Sequence, residues 1–501
     1  MKIKQIEIKN YKAFYGEYKI SVEGKNLFIY GENGSGKSSF YYALKDFFQS
    51  SLETIDFLET ENIFLTRAQK GKGHIQVTFN PDKDGATSDK VYTLKNNFKD
   101  TYVAGDTSIR DAVKLKSFLT YKHLLGIHNI RKGAEIDLFE LLVDGVLKHF
   151  KSVAITGNKE LGELWTEVKA SIEKETEGRT YNIAQKKADV DNAVNAFNEA
   201  FKKLFEANSI ENILRYAQPI LDKFGHNIQL GLHYTQVRPS TDYTSFERNH
   251  VRVKIIYQSK EIEQPHIFLN EARLSAIAIS IYLGMVKRHI QGMPLKVLFL
   301  DDIFIGLDIG NRLPLLKILD TDFSGYQVFI TTYDKPWYEF VKSTYLDNNN
   351  DWKSYEFYGR RTRKGFEIPI IRENKLNSHI QNYINASENF FNQGDNKAAG
   401  VYLRSAFEFI LKRYCFGKKV PVPFYLDSSK MKTDEFWESL KKYKATHPAC
   451  GLTQATTTQI DHYTNLVLNP LSHHDINKHE VTTEIQGAIA TIKTLKTELG
   501  M

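Results

Sequence analysis

Gly31-Glu-Asn-Gly-Ser-Gly-Lys-Ser-Ser39 is the stretch that decides the fold. It fits G-x-x-x-x-G-K-[ST] at every position, and the spelling has a chemical reason. Glycines 31, 34 and 36 lack the Cβ atoms that would keep backbone N–H groups, those of Asn33 and Ser35 among them, from converging on a phosphate. Lys37 neutralises β/γ oxygens, Ser38 offers a hydroxyl to Mg²⁺, and Ser39 adds an α-phosphate contact. Upstream, Asn26-Leu-Phe-Ile-Tyr30 reads as a buried strand. Downstream, Phe40, Ala43, Leu44, Phe47 and Phe48 recur at helical spacing. Strand, glycine-rich loop and helix in that order predict a phosphate loop that takes ATP and Mg²⁺.

A partner for this loop lies far along the chain. Val297-Leu-Phe-Leu-Asp301-Asp302 is four apolar residues ending in two carboxylates, the pattern of a buried strand that delivers an acid to a metal at its C-terminal end. Asp301 is expected to orient the Mg²⁺ shell and Asp302 to act as general base on the attacking water. Alone, such a strand end also suits a loop start or a helix cap; with the phosphate loop present, the catalytic reading is preferred.

Composition sets the outer limits. With 42% hydrophobic and 25% charged residues over 501 positions, the chain has material for two to four packed domains. Its longest apolar run, Leu274 to Val286, carries two serines and is too short to span a bilayer of about 30 Å, so it reads as a buried helix and no membrane association is expected. The alternating start Met-Lys-Ile-Lys-Gln-Ile-Glu-Ile reads as a strand rather than a signal peptide. Cys415 and Cys450, far apart and outside any Cys-x-x-Cys pattern, suit reduced thiols, so a cytoplasmic location is expected. A formal charge of +7, from 67 basic and 60 acidic residues, permits a nucleic-acid partner without demanding one.

The organisation is that of an α/β domain interrupted and then followed by helices. Strand patterns at 74–79, 251–258 and 327–331 join those above in a mixed sheet assembled from residues 1–157 and 246–372. Between them, residues 158–245 hold two amphipathic helices around Glu177-Gly178-Arg179-Thr180. Val190, Val194, Phe197, Phe201 and Leu204 alternate spacings of four and three, as in the seam of a short antiparallel coiled-coil hairpin or a small bundle. The charged turn Gly359-Arg-Arg-Thr-Arg-Lys-Gly365 joins two strands, and residues 373–501 read as a separate helical domain.

With these pieces in place, the chain resembles the SMC/RecF-like branch of the ABC ATPases, in which an antiparallel helical insertion splits one nucleotide domain. Ile8-Lys-Asn-Tyr-Lys-Ala-Phe14 looks like that family's N-terminal strand and turn, and Gly306-Leu-Asp308 like its D-loop. Phe268-Leu-Asn-Glu-Ala-Arg-Leu-Ser-Ala276 lies where the family's signature caps ATP from the opposite subunit, which implies a homo-oligomer of at least two copies. Both glycines of the usual Leu-Ser-Gly-Gly-Gln are missing, yet Asn270 can cap the helix and Arg273 can supply charge. Tyr333 replaces the switch histidine, implying slow hydrolysis, because tyrosine does not exchange protons near neutral pH as histidine does. Thr120-Tyr121-Lys122 is the expected Q-loop region.

The short arm lacks a zinc-hook Cys-x-x-Cys and argues against a DNA-tethering SMC protein. Stand-alone proteins of this design resemble the ATPase components of bacterial anti-phage systems, including the Septu PtuA type, which partners a separate nuclease. That resemblance implies control of a partner nuclease or effector. In the C-terminal part, Arg404 and Glu408 stand one helical turn apart, which suits an i,i+4 ion pair. With His473 or His474 they are also similar to the active-site pattern of ATPase-linked anticodon nucleases, whose nuclease part is HEPN-like, and a self-contained ATP-gated RNase is therefore one alternative. A RecF-like repair scaffold binding DNA through basic surface is the other.

Overall fold

A register shift between Ile3 and Gln5 brings Ile3 into the same core as the alternating Ile6 and Ile8 of the first strand, while the unbroken run Leu27–Tyr30 is buried on both faces of the third. This contrast separates two sheets. The computed structural model describes the chain apart from residues 81–87, 104, 122–136, 156–158, 174–182, 248, 289–292, 347–348, 350, 374–375, 424, 426–430 and 473–481. Strands β1 (Lys2–Lys9), β2 (Glu17–Ser21), β3 (Asn26–Gly31), β4 (His74–Asn80), β5 (Lys90–Lys95), β6 (Phe98–Lys99) and β7 (Phe118–Thr120) come first. Later come β8 (Ile228–Tyr234), β9 (Val251–Tyr257), β10 (Lys260–Glu261), β11 (Val297–Asp301), β12 (Gln327–Thr332), β13 (Trp352–Arg361) and β14 (Glu367–Glu373).

Six of them form the sheet β14-β13-β3-β12-β11-β7, in which β13, β3, β12, β11 and β7 run parallel and β14 returns antiparallel at one edge. An antiparallel sheet, β2-β1-β4-β5-β6, takes the alternating strands, and β10-β9-β8 makes a third. Gln327, at the start of β12, joins the first two. Its side-chain oxygen accepts from the Ile3 N–H at 2.7 Å, and its amide nitrogen donates to the carbonyls of Ile3 (2.9 Å) and Lys25 (2.8 Å). The helix Lys37–Gln49 packs Phe40, Tyr41, Leu44, Phe47 and Phe48 between these sheets with Phe79, Phe299 and Phe357.

The helices Leu161–Glu173 and Ile183–Lys202 pack on one another. Val190, Val194, Phe197, Phe201 and Leu204 bury not only against that partner but in the same core as Phe139, Ile228 and Val251. Aromatic contacts explain the breadth of the face: Phe197 lies 5.2 Å from Trp165 and Phe201 5.5 Å from Phe139. The turn Glu177–Thr180 lies outside the described residues. Helix Glu271–Arg288 is buried along nearly its whole length, which accounts for the run Leu274–Val286. No helix among the described residues is long and apolar enough to cross a membrane.

The chain divides into two compact units, Met1–Glu373 and Asn374–Met501. The second is helical in its described residues, around Leu403, Phe407, Ile410, Trp437, Ile460, Ile485 and Ile492. Sequence reasoning offered an ion pair between Arg404 and Glu408; the structure corrects it. Glu408 pairs with Lys412 one turn further on, and Arg404 reaches Asn469 and the Leu468 carbonyl instead. Arg404 and Lys412 stand one turn to either side of Glu408, so both are within i,i+4 reach of it, and the lysine makes the pair while the guanidinium is held by Asn469.

Gly284, inside the buried helix, crosses the helix Leu214–Asp222 so closely that a Cβ there would lie 2.7 Å from the Ala217 Cα and backbone N. Alanine normally favours an exposed helix interior over glycine, but here backbone must move. Gly284→Ala is expected to destabilise the first unit by about 1–3 kcal/mol, read as a lower denaturant midpoint. An unchanged or higher midpoint would refute this close crossing.

Candidate nucleotide site

Parallel register builds the site. Strands β3, β12 and β11 lie side by side with Thr331 opposite Ile29 and Leu300 opposite Ile330, so the ends of all three reach the same sheet edge. The phosphate-loop candidate leaves β3 there, and Asp301 and Asp302 leave β11 there. This is the edge where open α/β sheets place ligands. Thr120, at the end of β7, stands opposite Asp301, so the expected Q-loop region begins at the same edge, although Lys122 lies outside the described residues.

Within the loop, Gly34 and Gly36 take φ of 82° and 98°, left-handed values that cost a Cβ-bearing residue free energy. A Cβ on Gly31 would come within 2.8 Å of the Lys37 Cγ and crowd the Ser35 hydroxyl, and one on Gly36 would come 2.8 Å from the Pro369 Cγ. Lys37 begins the helix and is 5% exposed. Its ammonium donates to the carbonyls of Gly31 (2.7 Å) and Glu32 (3.2 Å) and lies 4.0 Å from Asp302 Oδ2. Burial lowers its pKa, while Asp302 and Asp301 oppose that shift. Asn33 and Ser38 are exposed, and the Ser39 hydroxyl accepts from the Ala13 N–H at 3.4 Å.

Thr331 organises the acidic pair, a role that sequence reasoning missed. Its hydroxyl donates to Asp301 Oδ1 at 2.7 Å and accepts from the Asp302 N–H at 3.0 Å. The Thr-Thr doublet closing a buried strand was the available signal, but a buried threonine is ordinary in a sheet. Asp302 itself sits at φ 51°, a conformation aspartate tolerates better than most residues. Burial pushes its carboxyl up to about 6, with Asp301 adding to the shift and Lys37 and a backbone hydrogen bond from Tyr333 opposing it.

Asn270 caps the helix Glu271–Arg288, its side chain accepting from the Arg273 N–H at 3.0 Å, and the Arg273 guanidinium lies 5.2 Å from the Tyr257 ring centre. Gly306 packs against that helix, since a Cβ there would lie 2.9 Å from the Ser275 hydroxyl and 3.3 Å from Glu271 Oε1. Asp308 is exposed and caps the helix Ile309–Asp322 through the Asn311 N–H. Tyr333 is 47% exposed. Arg404 and Glu408 belong to the second compact unit, and His473 and His474 lie outside the described residues.

The residues fit a magnesium–nucleoside triphosphate. Ser35 Oγ and Asp302 Oδ1 are buried polar atoms with no hydrogen-bond partner among the described residues: the first lies beside the space between Gly31 and the Lys37 stem, the second on the carboxylate facing the Lys37 ammonium. Lys37 with the loop amides could hold the phosphates, and Ser38 with Asp301 could hold the metal, which commonly takes only one or two protein ligands beside phosphate and water.

A parallel sheet carrying a glycine loop opposite an aspartate pair defines a P-loop nucleotide-binding domain. Residues 2–348 match the model of the RecF/RecN/SMC N-terminal domain, and the chain belongs to that family, whose domains are ATPases. Among solved structures, it is similar to the Smc head domain with an extended coiled coil, bound to the C-terminal domain of ScpA, from Pyrococcus furiosus (13% identity, TM-score 0.43, covering 76% of this chain and 98% of that one). It is also similar to the SMC head domain from Thermotoga maritima (12% identity, TM-score 0.35, covering 75% and 100%). A comparison with curated proteins finds no match.

Asp302 gives a pH test with a definite sign. Its folded pKa of about 6 exceeds the ordinary 3.8, so between those values the folded state holds a proton that the unfolded state has released, and stability falls as pH rises. Asparagine cannot titrate. Asp302→Asn is therefore expected to gain about 1–3 kcal/mol relative to the natural chain on going from about pH 4 to pH 7, measured by denaturant unfolding at each pH. A pH-independent difference would contradict this account of the carboxyl.

Proposed function

We propose that the chain binds Mg-ATP at this edge, hydrolyses it with Lys37 and Asp302, and uses ATP-driven pairing of two copies to control an effector nuclease in bacterial anti-phage defence. The observation that carries the catalytic part is the 4.0 Å approach of a buried ammonium to a buried aspartate beside two unpartnered polar atoms. Lys37 exchanges the Gly31 and Glu32 carbonyls for phosphate oxygens, and the amides of the loop through Ser39 hold the rest of the phosphate chain. Mg²⁺, when bound by Ser38 and Asp301, supplies the charge that makes the terminal phosphoryl group receptive to an incoming oxygen. Asp302 Oδ1 takes a proton from the attacking water. A carboxyl with a pKa of about 6 is mostly ionised at neutral pH yet more basic than an ordinary aspartate.

Pairing of two copies is supported by what stays exposed. Asn270, Asp308 and Tyr333 present a capped helix end, a D-loop acid and a phenol to solvent. In a head-to-tail pair, Asn270 and Arg273 of one copy would close over ATP held by the other, and Tyr333 would donate one hydrogen bond without relaying protons. Effector control and the defence role rest on the resemblance to short-armed defence ATPases. The self-contained RNase reading keeps one structural support: Arg404 contacts Leu468 and Asn469, a few residues before His473.

Lys37→Ala is expected to remove ATP binding in an equilibrium titration. Asp302→Asn is expected to keep ATP binding, lose hydrolysis by about 10²-fold or more, and accumulate ATP-bound dimers on a sizing column. Undiminished turnover by Asp302→Asn would remove this residue from the mechanism. For the RNase reading, cleavage of tRNA that Arg404→Ala abolishes while ATP hydrolysis persists is the supporting result, and absence of cleavage under every nucleotide condition eliminates it.

A further inference from the structure

The charged turn between β13 and β14 plays no part in the site above, yet its surroundings are unusual. Strand β13 follows β3 only as far as Phe357, opposite Gly31; beyond it, Tyr358–Arg361 pair with β14 alone. The two strands thus leave the sheet as a ribbon. Arg360, Arg361, Arg363 and Lys364 all lie exposed at its tip, and Glu367, opposite Arg361, is the acid facing them across the ribbon. No ion pair among the described residues neutralises these four cations. Charge of this kind is ordinarily just a solvated turn, but the ribbon carries a second feature.

Phe366, the first residue after the turn, stacks on Phe64 with ring centres 4.4 Å apart and planes 10° from parallel, and Tyr15 tilts against it at 5.1 Å. Phe64 nevertheless remains 48% exposed, and its neighbour Ile63 is 84% exposed. Leaving such large apolar groups in water forgoes the free energy of burying them. Cations beside exposed aromatic rings match a chain of phosphates whose bases are free to stack. A duplex satisfies the cations but hides its base faces, so the aromatic half of the surface distinguishes the two forms.

We propose that this ribbon tip, together with Phe64 and Ile63, binds single-stranded nucleic acid. Phosphates lie along Arg360, Arg361, Arg363 and Lys364, and an unpaired base stacks on Phe64. Strand β14 of the ribbon packs against the phosphate loop through Pro369, yet binding is measurable without nucleotide.

The test uses the full chain and labelled oligo-dT and oligo-U of about twenty nucleotides, with a duplex of the same length, followed by fluorescence anisotropy across a salt series. Four phosphate contacts to a single strand predict a slope of log K on log salt of about −3, falling to about −1 when three are removed. Replacing Arg360, Arg361 and Arg363 together by Ala is expected to weaken both single strands at least tenfold. Phe64→Ala is expected to weaken them about tenfold while leaving duplex binding unchanged. Unaltered thermal unfolding of both variants guards against a folding defect. A preference between the two oligonucleotides identifies DNA or RNA as the source of the strand. Failure of the natural chain to bind either, unchanged affinity in the triple variant, or equal losses for duplex and single strand in Phe64→Ala would overturn the proposal.

Discussion

Everything at the nucleotide edge follows from confining one ammonium and two carboxylates in a space largely closed to water. Desolvation works against each charge separately, lowering the lysine's pKa and raising that of Asp302, while their mutual attraction opposes both shifts. The set carries one excess negative charge when all three groups are ionised. A site of that balance favours a further cation, and Asp301, fixed by the Thr331 hydroxyl, is the carboxylate whose orientation is already determined.

Such a cluster persists only because the sheet leaves its members no alternative. Side-by-side parallel strands bring the ends of segments about 270 residues apart in sequence to one edge, and aromatic layers on either side hold those strands in register. Phe28 stacks on Tyr338 with ring centres 5.5 Å apart, while Phe40 and Phe299 approach within 5.7 Å on the opposite face. The left-handed glycines then turn the chain away from β3 without steric conflict.

Much of this was legible beforehand because it is written locally. Continuous apolar runs at Leu27–Tyr30 and Val297–Leu300 disclose strands buried on both faces, and the glycine spacing discloses the loop between β3 and its helix. What stayed hidden depends on partners remote in sequence. Nothing near Thr331 announces a carboxylate on the neighbouring strand, and nothing near Arg404 announces Asn469, which displaces Glu408 as its partner. Helical spacing located the apolar stripe of residues 190–204 correctly, but periodicity does not tell whether a stripe faces one helix or a wider core. Here it faces both. Strand β7, three residues long, is too short to leave a periodic signal of its own.

Gln327 shows how much one neutral side chain can join. Its amide replicates a peptide group, offering an acceptor and a donor in the same plane, and thereby splices the antiparallel layer to the first residues of a parallel strand. Glutamate would lose the donor to the Ile3 and Lys25 carbonyls, and leucine would lose the acceptor for the Ile3 N–H as well. The splice also ties the fates of the two layers: β1 cannot peel away while β12 stays in place, so thermal fraying that begins at the chain's amino end must either stop at Ile3 or carry the nucleotide edge with it.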